Sequence, residues 1–410
     1  MKVKRRLLCV VWVVCAGCSR GNRSVAGAPI VIEKTVFRPS TVIAPRPVLG
    51  GYVERAGRVT ILDATSGAEV FGQDRAVSEP REWVTGVADL SALAKVEAHT
   101  FRVIGADQER EFVLAADTST GREDSVVGAG GSAFAFFSKR NVEALRYLGG
   151  GKWDQQLLDK GKIPNAALMS WNSDGTKLFV VGGSSGGYRA FVAPKASEPI
   201  GGVAKDCGDF TRTGSPAVSL WFDSGRDFVA LGTSKGEILF RDAVEGDSCL
   251  EPGSWDKVTV GGDLGGLAVS CDSDSLTCLA GTYDRGMYRL TRGAVGSSWA
   301  VTRLVSVCTQ PLSWQVYGKG TDRKLAVLCV GPGAVEAGSG PLLRVQVVKP
   351  AKDVGTVEIG LDEAPSVLAL DGEGESLLVL INSGIGVLWK YDLRDGSKTE
   401  TQGIFAGGIW

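Results

Sequence analysis

Nine cysteines and one histidine hold most of the chemistry that side-chain type alone would allow this 410-residue chain. Six of the cysteines, Cys207, Cys249, Cys271, Cys278, Cys308 and Cys329, lie in the second half. An even set in an exported chain points to disulfides, and six cysteines allow 15 pairings. Cys271 and Cys278 flank the turn 272–277 and are placed to bridge one hairpin, which leaves Cys207–Cys249 and Cys308–Cys329. Buried free thiols are the alternative, because Cys278 and Cys329 stand inside apolar runs. No Cys-x-x-Cys follows Cys18 and His99 is the sole histidine, so a zinc site lacks its ligands. Gly182-Gly183-Ser184-Ser185-Gly186 has the letters of a nucleophile elbow but falls in a hairpin, without the strand-to-helix turn that chemistry needs. The glycine runs at 128–131, 149–151, 182–187 and 261–266 precede no helix and carry no Gly-Lys-Ser/Thr, so they read as turns and not as phosphate cradles. Asp272-Ser273-Asp274 could begin a calcium loop, but it lacks the Gly and distal Glu and reads as a turn. No catalytic residue, metal or cofactor is assigned, and the expectation is a protein that is not an enzyme.

The first 18 residues carry a different chemistry. Lys2, Lys4, Arg5 and Arg6 form a basic region, Leu7 to Val14 an apolar one, and Ala16 and Gly17 are small. That order is a secretory signal, too short for a stop-transfer helix. Cys15-Ala16-Gly17-Cys18 resembles the lipobox of bacterial lipoproteins, with Cys15 where Leu is usual. The resemblance implies cleavage before Cys18 and acylation of its thiol and amine. It also implies, with Ser19 and not Asp next, sorting to an outer membrane. Several acyl chains anchor firmly where one does so marginally. Residues 1–17 are then the lipoprotein signal peptide and 18–28 a small, polar tether. Loss of the signal moves the formal charge from −1 to −5, which suits solubility and argues against a nucleic-acid partner.

The elements that follow read as strands. Within residues 29–118 they fall at Ile30–Glu33, Val48–Glu54, Arg58–Asp63, Trp83–Val87, Thr100–Gly105 and Glu111–Ala115. Gly51-Tyr52-Val53, Ala56 to Asp63, Gly67, Trp83, Leu90 to Leu93 and Ala98-His99-Thr100-Phe101-Arg102-Val103 together resemble the pattern of bacterial Ig-like domains. The resemblance implies a β-sandwich over 29–118 and places His99 structurally, at the start of a strand. The alternative is that Gly57–Gly67 is a propeller-type hairpin, which would make this region an extra blade.

Residues 120–410 repeat. An apolar run, a polar turn and a second apolar run recur, with second runs starting at 178, 228, 277, 325 and 377, and a vaguer copy at Ser132–Phe137. A third run follows in each unit, at Tyr188–Val192, Glu237–Phe240, Gly286–Leu290, Leu342–Val348 and Val387–Tyr391. Steps of 48 to 52 residues with about four strands each describe a β-propeller blade. Asn172-Ser173-Asp174-Gly175-Thr176-Lys177-Leu178 resembles the turn of WD40-like and TolB-type propellers, although the Gly-His and Trp-Asp pairs of true WD40 repeats are missing. The 56 glycines, about double the usual ~7%, then report the tight turns of the blades. Trp153, Trp255 and Trp299 recur after glycine as packing landmarks, and the chain end at Trp410 is placed to close the ring with a last strand.

The reading is an all-β chain, an N-terminal Ig-like β-sandwich followed by a C-terminal propeller of six four-stranded blades, or seven if one lies near 100–140. It is expected to be exported, lipid-anchored at Cys18 in the bacterial cell envelope, and to bind or scaffold a protein or glycan partner. The alternatives are a propeller hydrolase or lyase acting on an envelope or extracellular polymer, and an accessory lipoprotein in outer-membrane protein assembly.

Overall fold

The computed structural model describes the strands and many of their connections between residues 48 and 409; residues 1–47, residue 410, several turns and the side chains of some strands lie outside the described residues. Ile30–Glu33, His99 and Trp410 are among those outside. Antiparallel strands dominate. The first sheet holds β1 (Val48–Val53), β2 (Arg58–Asp63) and β3 (Glu69–Asp74). The second holds β4 (Glu82–Gly86), β5 (Ala92–Glu97), β6 (Thr100–Ile104) and β7 (Glu109–Val113). The third holds β8 (Glu123–Ala129), β9 (Ala133–Ser138), β10 (Asn141–Gly149) and β11 (Lys152–Lys160). The fourth holds β12 (Ala166–Trp171), β13 (Lys177–Gly182), β14 (Gly187–Val192) and β15 (Gly201–Asp209). The fifth holds β16 (Ala217–Asp223), β17 (Phe228–Thr233), β18 (Glu237–Asp242) and β19 (Asp256–Thr259). The sixth holds β20 (Ala268–Cys271), β21 (Thr277–Thr282), β22 (Gly286–Thr291) and β23 (Ala300–Arg303). The seventh holds β24 (Pro311–Tyr317), β25 (Lys324–Val330), β26 (Leu343–Lys349) and β27 (Val354–Leu361). The eighth holds β28 (Val367–Leu370), β29 (Ser376–Ile381), β30 (Val387–Asp392) and β31 (Lys398–Gln402). The last strand, β32 (Phe405–Ile409), returns to pair with β1.

Each sheet is a meander of four neighbours, and β32 supplies the fourth strand of the first. First strands pack on one another in chain order: β8 on β12, β12 on β16, β16 on β20, β24 on β28, β28 on β32 and β32 on β4. The result is a propeller of eight four-stranded sheets among the described residues, fastened by strands from both ends of the chain.

The strands are apolar on successive residues because both faces are covered. Leu325, Val327 and Cys329 of β25 pack with Leu279 and Met287 of the sixth sheet. Ala326 and Leu328, one residue out of phase, pack with Leu377 and Val379 of the eighth. Phe228 and Ala230 of β17 likewise meet Cys278 and Ala280 of β21.

The repeat starts read from the sequence fall within one residue of β13, β17, β21, β25 and β29. The Ig-like sandwich does not form. A sandwich would pair the strands of residues 29–118 among themselves in two facing sheets, whereas β1 pairs with β32 and β4–β7 form a meander of their own. Leu93, Phe101, Val103 and Phe112 of that meander share one buried cluster with Phe134, Phe136 and Leu145 of the third sheet. The stretch therefore supplies two blades, and the ring holds eight and not six or seven. Two strands of residues 48–113 went unread. β3 (EVFGQD) and β5 (ALAKVE) have few β-branched residues and no clear alternation.

Two of the three recurrent tryptophans, Trp153 and Trp299, close the outer part of blade interfaces. Trp153 is in β11, with ring centroids 5.2 Å from Phe112 of the preceding sheet and 5.2 Å from Tyr147. Trp299 directly precedes β23 and stacks on Phe240 of the preceding sheet at 4.2 Å. The Arg292 guanidinium covers Trp299 at 4.7 Å and Phe228 at 5.1 Å.

Candidate functional site

The cysteines and charged residues that meet across distant sequence do so around the sixth and seventh blades. Cys271 and Cys278 are directly opposite in the β20–β21 register and form a disulfide. Both are buried against the fifth sheet. Cys308 lies in the connection from β23 to β24 and is bonded to Cys329 near the end of β25, with Cα atoms 6.1 Å apart. Cys207 belongs to β15, but its side chain, Cys249 and Cys18 lie outside the described residues, so the Cys207–Cys249 pairing and the lipid site are not placed.

Asp272 follows Cys271, and its backbone N–H donates to Thr277 O at 2.8 Å, closing the turn. Its carboxylate meets the Arg323 guanidinium at 2.8 Å, both side chains being less than a tenth exposed. Arg323 also donates from Nη2 to Cys271 O at 3.1 Å. It precedes β25, so this ion pair ties the sixth blade to the seventh beside the first disulfide. Asp272 is thus engaged by a guanidinium, as a turn residue with an inter-blade role. Among the described residues no three His, Cys, Asp or Glu side chains gather as a metal site.

A second clasp holds the outer parts of the same two blades. Asp353, in the turn between β26 and β27, accepts from Val305 N at 2.9 Å, Ser306 N at 3.2 Å and Ser306 Oγ at 2.6 Å. It adopts φ 50°, a left-handed conformation that non-glycine residues seldom take. Arg289 of β22 reaches the same turn, donating from Nη1 to Pro350 O and Ala351 O, both at 2.6 Å. Burial alone would raise the Asp353 carboxyl; the Ser306 hydroxyl, the two backbone N–H groups and the Arg289 charge outweigh it and hold the carboxyl below its usual value. Between the clasps, Gln346 Oε1 accepts from Cys308 N at 2.9 Å. The β23–β24 connection is thereby held by side chains of the seventh blade, Asp353, Gln346 and, through its disulfide, Cys329.

Sequence reasoning found the cysteines and missed Arg289, Arg323 and Asp353. Each bonds to a residue on a neighbouring blade, and no local spacing marks such a partner. Chemically the arrangement cross-links and orients.

No protein-family profile matches the sequence, and no curated protein does. Solved structures do resemble it. Citrobacter koseri AztD aligns with a TM-score of 0.51 at 12% identity, over 86% of this chain and 94% of its own. The dihydro-heme d1 dehydrogenase NirN, solved in complex with DHE, aligns at 0.45 and 12% identity over 91% of this chain and 77% of its own. A streptogramin B lyase aligns at 0.48 and 8% identity, over 74% and 92%. These neighbours are β-propellers, and likeness at such identity is one of fold alone.

Proposed function

We propose that this chain is an exported lipoprotein, anchored through Cys18 to the bacterial cell envelope, whose propeller is a non-catalytic scaffold for a protein or glycan partner. The two disulfides in consecutive blades carry the reading, because such bonds persist in oxidising compartments outside the cytosol. The basic, apolar and small residues ahead of Cys18 agree with it. So does the spacing: about 30 residues separate Cys18 from β1, enough to stand the ring off a membrane surface. A propeller fastened at both ends and clasped between blades offers fixed geometry for variable loops, which suits presentation.

Metabolic labelling with a palmitate analogue tests the anchor. The wild-type chain is expected to take up label and Cys18→Ala to lose it; label retained by Cys18→Ala would sink the assignment. Crosslinking in the native envelope, followed by identification of the captured molecule, tests the scaffold. A discrete partner in stoichiometric yield supports it, and turnover of an envelope polymer by the purified ring contradicts it.

A further inference from the structure

The fourth strand of each sheet leaves one backbone edge unpaired, a template that natural proteins usually blunt. Several outer strands here neutralise the charges they carry. Glu111 of β7 pairs with Arg102 at 2.8 Å. Lys257 of β19 pairs with Glu237, and Glu358 of β27 meets Arg344 at 3.4 Å. Lys398 and Glu400 of β31 stand 3.8 Å apart.

β23 differs. All four of its residues are exposed. Arg303 has no ion-pair partner among the described residues, and neither do Lys349 and Lys352, which the Asp353 and Arg289 clasp sets beside the end of this strand. Three large apolar side chains lie among these cations: Val301 at 40% exposure, Val305 at 80% and Val354 at 50%. The backbone is also open. Leu304 N donates to Met287 O at 2.9 Å, so Ala300, Thr302 and Leu304 face β22, while Val301 and Arg303 turn their N–H and C=O groups outward.

We infer that the outer edge of β23 is a docking site for an extended, acidic segment of a partner protein, added to the sixth sheet as a fifth strand. The inference rests on the reading of the propeller as a binding scaffold and gives its partner a chemistry. Backbone pairing supplies affinity, the valines take apolar side chains, and the three cations select carboxylates. An anionic membrane would satisfy the cations but has no donors and acceptors in register for the outward backbone groups. A second copy of β23 would set Arg303 and the lysines against like charges.

The test uses the full chain and a fluorescein-labelled peptide of alternating glutamate and valine, read by fluorescence anisotropy. Binding is expected, weakening with added salt. Val301→Pro removes an outward N–H and leaves the β22 ladder intact; it is expected to weaken binding about tenfold, as is the Lys349→Glu, Lys352→Glu pair. Thermal melts check that both variants keep the fold. Equal affinity for a lysine–valine peptide, unchanged affinity in the variants, or binding to phosphatidylethanolamine–phosphatidylglycerol vesicles in place of the peptide would each overturn the site. The two readings separate in the envelope. A partner still captured by Val301→Pro overturns the β23 site and leaves the scaffold standing, whereas no captured partner in the wild type contradicts the scaffold.

Discussion

Replacing Arg323 by methionine takes the buried counter-charge from Asp272. Breaking one side of such a pair typically costs about 3–5 kcal/mol, while replacing both sides with apolar groups of similar volume is often near neutral. Urea unfolding should therefore give a large loss for Arg323→Met and substantial recovery when Asp272→Leu is added. Asp353 makes a pH prediction. Its folded-state value lies below the ordinary one, so its contribution is complete above the ordinary carboxylate range and is lost as pH falls through the folded value. Melting temperature followed from about pH 6 to about pH 3 should fall less steeply in Asp353→Asn than in the wild type. An identical slope would remove Asp353 from the clasp. At this scale the sequence was legible where partners were local. Cys271 and Cys278 flank one turn, and Cys308–Cys329 followed as one of the two pairs that remained. Asp272 read as a turn residue, but its guanidinium partner comes from the next blade, and nothing near Arg323 announces that.

Elements were legible in proportion to how well they are buried on both faces. β17 and β29 are buried at every position, and such runs set the repeat. β3 and β5 carry glycine, alanine, lysine and glutamate, so their strand character comes from the strands they pair with, β2 for the edge strand β3 and β4 and β6 for β5. Missing them hid the four-strand unit in residues 48–113 and let a resemblance of isolated motifs suggest a sandwich. The glycine-tryptophan landmark was legible as packing. Trp299→Ala should cost about 3 kcal/mol, since it strips the aromatic stack from Phe240 and one face from Arg292. Chemical denaturation measures it, and a loss within about 0.5 kcal/mol, as at an ordinary surface site, would contradict the packing role.

At the scale of the whole molecule, both ends of the described chain belong to one sheet. β1 is held between β2 and β32, so residues 48–113 and the repeats behind them form one ring, and no boundary near 118 divides it. Propeller stability is then shared by all eight sheets, and whatever the ring presents is presented rigidly. Tyr52 of β1 and Phe405 of β32 are register partners, at the close spacing of an antiparallel pair. The double variant Tyr52→Cys, Phe405→Cys tests closure directly. Under mild oxidation it should lose two thiols, migrate faster than its reduced form on a denaturing gel, and form no crosslinked dimer. Thiols that stay free in the folded protein, or limited proteolysis that releases residues 48–113 as a stable separate fragment, would contradict the closed ring.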